Sequence, residues 1–203
     1  MTNTEEELYI IKRDGTKEVL SFDKILRRVK ALGTIETNTE GTKTKLNVNY
    51  SQLVMKVVDQ LYNNMPTYII DELTAEQCTS LITKHPDYGT LASRIIVSNN
   101  HKNTTPLFHK AMEALYNFQD VHGVHSPLIH KDIWTLSQAH SEFFQSFLDY
   151  SRDYLLDYFG FKTLERAYLM KIDKKIIERP QHMWLRVALG IHGGDLPRVK
   201  ETY

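Results

Sequence analysis

Four basic residues near the N-terminus have the types and spacing to bind a polyphosphate. They are Lys12, Arg13, Lys17 and Lys24. All four lie in the segment YIIKRDGTKEVLSFDK at residues 9–24, in which Ser21 and Asp23 supply oxygens that can cap a helix. The free backbone N–H groups of a helix N-terminus, together with nearby cations, suit phosphate groups. Solvated hairpins also carry Lys and Arg, so these residue types alone leave an ordinary surface hairpin as the alternative.

A β-hairpin followed by a helix would position these residues. β-Prone runs at residues 8–11 and 19–20 flank Asp14-Gly15, a dipeptide that strongly favours a hairpin turn. Apolar residues then recur at helical spacing. They are Phe22, Ile25, Leu26, Val29 and Leu32. Gly33 follows this stripe, and we expect the helix to end there.

The next segment of the chain contains apolar patterns that predict three more helices. We expect these helices near residues 53–61, 69–83 and 88–99. Pro66 would help to end the first of the three, and His85-Pro86 would separate the other two. Residues 34–45 are rich in Thr, Asn, Glu and Gly and predict a loop insertion, and residues 1–7 predict a flexible N-terminus.

A second helical domain is predicted after Asn103–Pro106, where small polar residues precede a proline. Aromatic and apolar residues between Trp134 and Phe159 predict a packed core, with a helix ending at Gly160. A small hairpin is expected around residues 173–175. Pro180 would then begin a helix that ends at Gly193-Gly194. The pattern after it suggests one more helix, with the chain stopping part-way along it.

The composition argues against several classes of partner. The 203 residues are 41% hydrophobic and 25% charged, and 25 Lys and Arg balance 25 Asp and Glu. No overall field therefore attracts nucleic acid or an anionic membrane. The sequence lacks an apolar run of about 18 residues that could span a bilayer. It begins MTNTEEE, which differs from a secretory signal. We expect a cytoplasmic protein.

The residues that could support redox or metal chemistry are few. The single cysteine, Cys78, rules out an intrachain disulfide and a multi-cysteine zinc site, and its apolar neighbours favour a buried thiol. His122 and His125 form an HxxH pair in a Gly/Pro loop, but no third ligand is nearby, so we predict no metal site. The sequence has no P-loop and no Ser/His/Asp order. No catalytic residue is assigned.

Several motifs together resemble one family. The segments IIKRDG, FDKI, LVMKVVDQLY and TKHPDYGTLASRIIVSNNHK, with residues 67–73, resemble the ATP-cone, the allosteric domain at the N-terminus of many ribonucleotide reductases. DYFGFKTLERAYLMKI and ERPQHMWLRVALGIH resemble the helical segment after the cone in the large subunit of eukaryotic-type class I enzymes. The resemblance implies a mainly α fold. A hairpin and four-helix cone would span residues 8–102, and a helical domain with a small hairpin would span 103–203.

The resemblance also implies a ligand and the residues that bind it. The cone would bind ATP or dATP as an allosteric effector, accompanied by Mg²⁺. The phosphates would be held by Lys12, Arg13, Lys24 and Lys102. The base and ribose would be framed by Glu18, Val19, Leu20, Ser21, Phe22, Asp23, Thr67 and Asp71. Without the resemblance, Thr67 and Asp71 would be interpreted as helix caps and Lys102 as a surface lysine.

The catalytic residues of this family are absent from the sequence. Its members reduce nucleoside diphosphates in a barrel, with a thiyl radical and a redox-active cysteine pair, and those residues would lie beyond Tyr203. We therefore expect the chain alone to be inactive. Expected partners are the large and small reductase subunits, and the cone could form a homo-oligomer. The alternative is a non-catalytic protein that joins full-length subunits without nucleotide dependence. A cone-bearing repressor is disfavoured because its zinc ribbon needs four cysteines.

Overall fold

The computed structural model describes residues 7–34 and 45–203. The chain folds as two compact units, the first ending at Asn99 and the second running from Asn100 to Tyr203. The boundary predicted from the sequence follows Lys102. Both units are mainly helical, which confirms the predicted fold class. The flexible N-terminus predicted at residues 1–7 and the loop insertion predicted at 34–45 lie almost entirely outside the described residues.

The described part of the first unit combines a three-stranded sheet with four helices. The strands are β1 (Tyr9–Ile11), β2 (Lys17–Val19) and β3 (Met65–Pro66). The helices are α1 (Phe22–Leu32), α2 (Tyr50–Val58), α3 (Thr67–Ser80) and α4 (Asp87–Asn103). The division between the two units falls within α4. The order of strands in the sheet is β2-β1-β3.

The predicted hairpin is confirmed. β1 and β2 are antiparallel, with Ile10 opposite Glu18. The turn is closed by the Gly15 N–H, which donates to the Lys12 carbonyl at 3.0 Å. Gly15 has φ +84°, a left-handed conformation that glycine adopts without steric cost. β3 lies parallel to β1, with Met65 opposite Ile10, and the sequence did not predict this strand because two residues have no recognisable period.

The predicted start and end of α1 are also confirmed. Ser21 is the N-cap, and its side chain accepts a hydrogen bond from the Lys24 N–H at 3.4 Å. Gly33 is the C-cap. Short-range capping chemistry therefore sets both ends of the helix that follows the basic hairpin.

The predicted role of Pro66 was wrong. α2 ends at Val58, well before this proline, which is instead extended (φ −65°, ψ 140°) and forms the N-cap of α3. Leu61 continued the apolar spacing of α2, but it packs from outside the helix against a core cluster of Val57, Met65 and Ile70. Leu61 is therefore a core residue, as its apolar spacing suggested, although it lies outside α2.

A tightly packed core supports the first unit. The buried face of α2 includes Leu53, Val54 and Val57, all at 0% exposure. Cys78 on α3 is also at 0% exposure, which confirms the predicted buried thiol. Burial raises the pKa of Cys78 to about 12, so the group is a neutral packing residue at physiological pH.

The second unit contains six α-helices and one hairpin in addition to the end of α4. The helices are α5 (Phe108–Tyr116), α6 (Lys131–Ala139), α7 (Ser141–Phe147), α8 (Tyr158–Ala167), α9 (Pro180–His192) and α10 (Leu196–Thr202). A 3₁₀ helix spans Tyr150–Leu155. The hairpin strands are β4 (Lys171–Ile172) and β5 (Lys175–Ile176). The core includes Phe108, Met112, Leu115, Phe144, Leu185 and Leu189.

Most turn predictions for the second unit hold, and one fails. The hairpin is confirmed, and Asp173 and Lys174 both have positive φ, as expected of a two-residue turn. Gly193 caps α9 with φ +55°. Gly160 does not end a helix, because it lies in the first turn of α8 and donates its N–H to the N-cap Asp157 at 2.6 Å. No helix in the described residues is long and apolar enough to cross a membrane.

Candidate functional site

Lys12 and Lys24 converge on the carboxylate of Glu18. Lys12 follows β1 and Lys24 lies in the first turn of α1, and each Nζ pairs with a different oxygen of Glu18 on β2. The two oxygens of one carboxylate are close together, so the hairpin and helix bring the two ammonium groups to one place. The lysine side chains are 47% and 57% exposed. An anion from solvent could therefore reach both.

The segment from Val19 to Asp23 connects the hairpin to α1 beside these lysines. The Leu20 N–H donates to the Leu8 carbonyl at 2.7 Å, which fixes the segment to the sheet before the helix begins. Asp23 lies in the first turn, where a carboxylate interacts favourably with the helix dipole. Val19 and Phe22 are both more than a third exposed. The segment therefore offers apolar surface next to a cationic cluster.

Asp71 on α3 is the centre of a second cluster. Its side chain is only 8% exposed. The Arg28 guanidinium binds it in a bidentate manner, with Nε to Oδ1 at 2.6 Å and Nη2 to Oδ2 at 2.9 Å. Arg13 Nη2 reaches Oδ2 at 3.0 Å and also the Asn99 side-chain oxygen at 2.5 Å. A buried carboxylate is thus held by guanidinium groups from the hairpin turn and from α1.

Neither Thr67 nor Asp71 caps α3, which was their alternative role. The N-cap is Pro66, and no side chain makes a capping bond there. Thr67 is the first residue of the helix and Asp71 lies one turn further along it, paired with two arginines. The structure therefore brings Asp71 and Arg13 together.

Lys17 and Lys102 are the two remaining predicted basic residues. Lys17 is exposed on β2. Lys102 is exposed in the last turn of α4, and it belongs to the second unit.

The sequence analysis missed Arg28 and Asn99. Arg28 lies four residues after Lys24 on α1, a spacing that places both on one side of the helix. Asn99 occupies a position in the apolar stripe of α4, and it is buried. A polar residue in an apolar stripe requires a hydrogen-bond partner, so this position carried a usable signal.

The described residues contain no group of three or more His, Cys, Asp or Glu that could hold a metal ion. The HxxH pair is part of a turn. Its second histidine, His125, places Nε2 2.7 Å from the Tyr116 carbonyl oxygen, within hydrogen-bonding distance.

Comparison with known families gives two matches within the chain. Residues 8–103 match the ATP cone domain, and residues 154–203 match the ribonucleotide reductase all-alpha domain. This chain carries an ATP-cone followed by a ribonucleotide reductase all-alpha domain. The resemblance that the motifs suggested is confirmed. Every residue of the two clusters, and Lys102, lies within the span of the ATP-cone match.

Several proteins similar to this chain are ribonucleoside-diphosphate reductase large subunits. The Caenorhabditis elegans protein is 43% identical over 199 residues, which cover 96% of this chain and 24% of that protein. The Dictyostelium discoideum protein is 43% identical over 205 residues, which cover 99% of this chain and 23% of that protein. The Variola virus protein is 43% identical over 197 residues, which cover 97% of this chain and 25% of that protein. The chain spans about a quarter of these relatives.

Proposed function

We propose that the ATP-cone binds ATP or dATP as an allosteric effector and that the chain is the regulatory head of a ribonucleoside-diphosphate reductase large subunit. The convergence of Lys12 and Lys24 beside the N-terminus of α1 is the observation that supports this most directly. These cations come from two elements of the domain. An exposed pair held at one point beside free helix N–H groups suits a phosphate chain.

The charge balance of the two clusters favours an anionic ligand. Four basic side chains, Lys12, Arg13, Lys24 and Arg28, face the carboxylates of Glu18 and Asp71, which leaves an excess of positive charge. On binding, Lys12, Lys24 and Arg13 would exchange carboxylate contacts for phosphate contacts, with Lys102 as a further contact from α4. Mg²⁺ would arrive with the nucleotide, because its usual ligands are phosphate oxygens and water.

The base and ribose would lie against the segment that joins β2 to α1 and the first turns of α3. Val19 and Phe22 offer apolar surface for a base, while Leu20, Ser21 and Asp23 supply backbone and side-chain polar groups. Glu18, Thr67 and Asp71 would hydrogen-bond the sugar or the base. ATP and dATP differ only in the 2′-hydroxyl, so discrimination requires a contact at that group. These residues are the proposed source of it.

Regulation requires that the two effectors stabilise different states of an assembly. We propose that the partners of this chain are reductase large and small subunits, and that the cone also contacts the cones of other copies in a homo-oligomer. The reduction of ribonucleoside diphosphates is proposed for the full-length subunit. No catalytic residue of that reaction is assigned to this chain, and its inactivity alone remains a prediction.

Calorimetry with ATP and dATP tests the proposed function. We expect Lys12→Ala and Lys24→Ala each to weaken binding by tenfold or more, because a hydrogen bond to a charged group contributes roughly 1.5–3 kcal/mol. Lys30→Ala is the matched control, since Lys30 is exposed at the far end of α1, and it should bind like the unmodified protein.

Two results would overturn the proposal. One is the absence of binding to either nucleotide at sub-millimolar concentration. The other is unchanged affinity in a variant that carries both Lys12→Ala and Arg13→Ala. Association with a full-length large subunit that is indifferent to nucleotide would then favour the interaction-protein alternative.

A further inference from the structure

The two arginines that hold Asp71 are not equivalent. Arg28 makes two parallel contacts from the middle of α1, at 2.6 and 2.9 Å, whereas Arg13 makes one contact at 3.0 Å from the hairpin turn. Arg13 also shares its Nη2 with Asn99. A bidentate guanidinium pair is stronger and more restricted in geometry than a single contact. Arg13 is therefore the partner that can leave Asp71 at lower cost.

We propose that Arg28 is a positioning residue of the nucleotide site, which stays bound to Asp71 as a fixed counter-charge while Arg13 turns from Asp71 to a phosphate group. This inference rests on the proposed function, because it requires a triphosphate to draw Arg13 away. It adds a residue that the motif resemblance did not supply and divides the pair into a fixed and a moving arginine.

The burial of Asp71 explains why a fixed partner is needed. A carboxylate that is 8% exposed is costly to leave without a counter-charge, and removing one partner of a buried pair is strongly unfavourable. If Arg13 were the only partner, each binding event would leave this charge unpaired. With Arg28 in place, Asp71 keeps a counter-charge and its orientation in both states.

Two positively charged groups balance the Asp71 carboxylate. Arg13 and Arg28 are the charged groups that contact it. α4 places neutral groups beside the two guanidinium groups, since Ser98 Oγ lies 3.5 Å from Arg28 Nη2 and the Asn99 side-chain oxygen lies 2.5 Å from Arg13 Nη2. The charged Lys102 is exposed in the last turn of the same helix. Glu72 is the neighbouring acidic residue on α3. Without Arg28, departure of Arg13 would leave a buried carboxylate with no counter-charge, and a buried charge without a partner is neutralised by binding a proton.

Proton uptake on nucleotide binding is the distinguishing measurement. We expect Arg28→Gln to bind ATP with uptake of up to one proton more than the unmodified protein. As the pH rises from 6 to 8, its affinity for ATP should therefore fall by up to tenfold more per pH unit than that of the unmodified protein. Calorimetry in buffers of different ionisation enthalpy measures the uptake. The unmodified protein corrects for titration of the nucleotide itself.

Three further variants separate positioning from a general structural role. Arg28→Lys keeps the positive charge and should show no extra proton uptake. The double variant Arg28→Gln/Asp71→Asn has no carboxylate to protonate and should also lose the extra uptake. Arg27→Gln is the matched control, since Arg27 is exposed on the same helix and its Nε donates to the backbone carbonyl of Asp23. It should behave like the unmodified protein.

A measurement on the unmodified protein covers the case in which Arg28→Gln does not fold. The Nε–H of each arginine gives a separate NMR signal. We expect the Arg13 signal to shift on saturation with ATP, and the Arg28 signal, whose proton is hydrogen-bonded to Asp71 Oδ1, to keep its position.

The outcomes are distinguishable. Binding of ATP by Arg28→Gln with ordinary affinity and proton uptake at every pH would overturn the inference, as would movement of the Arg28 signal while that of Arg13 stays. A complete absence of ATP binding by the unmodified protein would instead remove the proposed function.

Discussion

The ring of Tyr50 occupies the space that a side chain on Gly33 would need. A Cβ atom built on Gly33 would lie 2.1 Å from the Tyr50 hydroxyl oxygen and 2.7 Å from the nearest ring carbon. The Tyr50 hydroxyl donates to the Leu46 carbonyl at 3.2 Å, and the Leu46 N–H donates to the Gly33 carbonyl at 3.1 Å. The end of α1 is therefore fixed against the start of α2, and Gly33 is required for space.

Replacement of Gly33 by alanine should destabilise the protein by about 1–3 kcal/mol, the usual cost of forcing an extra group into a packed site. Urea unfolding measures the change. Gly194→Ala is the matched control, because no atom lies within 4 Å of its added Cβ, and it should change the stability by less than about 0.5 kcal/mol. Equal stability of the two variants would contradict this account of the α1–α2 contact.

The buried pair of Arg186 and Glu178 should be sensitive to removal of one partner. Glu178 is fully buried, and Arg186 binds it with Nε to Oε1 at 2.6 Å and Nη2 to Oε2 at 3.0 Å. We expect Arg186→Gln to lower the free energy of unfolding by roughly 3–5 kcal/mol, because the carboxylate loses its counter-charge inside the core.

The matched control for that pair is an exposed ion pair. Lys110→Gln breaks the contact of Lys110 with Glu113, 2.9 Å apart on the surface of α5, and should cost at most about 0.5 kcal/mol. The double variant Arg186→Gln/Glu178→Gln should recover part of the lost stability, since it leaves no unpaired charge. Failure of this recovery would argue against charge burial as the cause.

His182 should make the stability fall with decreasing pH. Burial, reinforced by the Arg179 guanidinium, lowers the pKa of His182 to about 3 from its ordinary 6.5. Nδ1 accepts from the Arg179 N–H at 3.4 Å, so Nε2 carries the proton of the neutral ring and donates to the Tyr150 hydroxyl at 2.8 Å. A proton on both nitrogens would break this arrangement.

The free energy of unfolding falls with decreasing pH because the unfolded state binds a proton more readily than the folded state. Between pH 6.5 and about 3 the unfolded state binds a proton that the folded His182 does not, so stability is fully present above pH 6.5 and decreases below it by up to about 1.4 kcal/mol per pH unit. Urea unfolding at pH 4–7 should show a shallower slope in His182→Gln than in the unmodified protein. His122→Gln, at an exposed position, should keep the full slope.

Cys78 should react with thiol reagents only when the first unit opens. It is fully buried, and burial raises its pKa to about 12, so both access and thiolate are lacking in the folded state. If the proposed function is correct, ATP at 100 times its Kd should slow labelling about a hundredfold, since a ligand that binds only the folded state stabilises it. Rapid labelling of the folded protein, unaffected by ATP, would contradict this prediction.

Local chemistry made part of the fold predictable. The Asp14-Gly15 turn, the Ser21 cap and the Gly193 cap each depend on residues within about four positions, and sequence patterns record such contacts directly. Pro66 and Gly160 were misassigned because each can serve either end of a helix. Their roles were set by the strand and helix that followed them.

Some residues of the candidate site were likewise predictable from the sequence, and others were not. Its basic and acidic residues could be named from the sequence because they stand in one motif or match a known family. Arg28 could not be assigned, because its partner Asp71 is 43 residues away and α1 carries two adjacent arginines that look equivalent in sequence. Arg27, its neighbour, points to a different environment.

The sequence by itself determined the fold class, the basic hairpin, the buried state of Cys78 and the family to which the motifs point. Only the tertiary structure decided that β3 joins the sheet, that Glu18 gathers two lysines and that Asp71 holds Arg13 and Arg28. The reason is physical. Turns and caps are made by near neighbours along the chain, whereas ion pairs and strand pairings depend on which distant residues the packed core brings together.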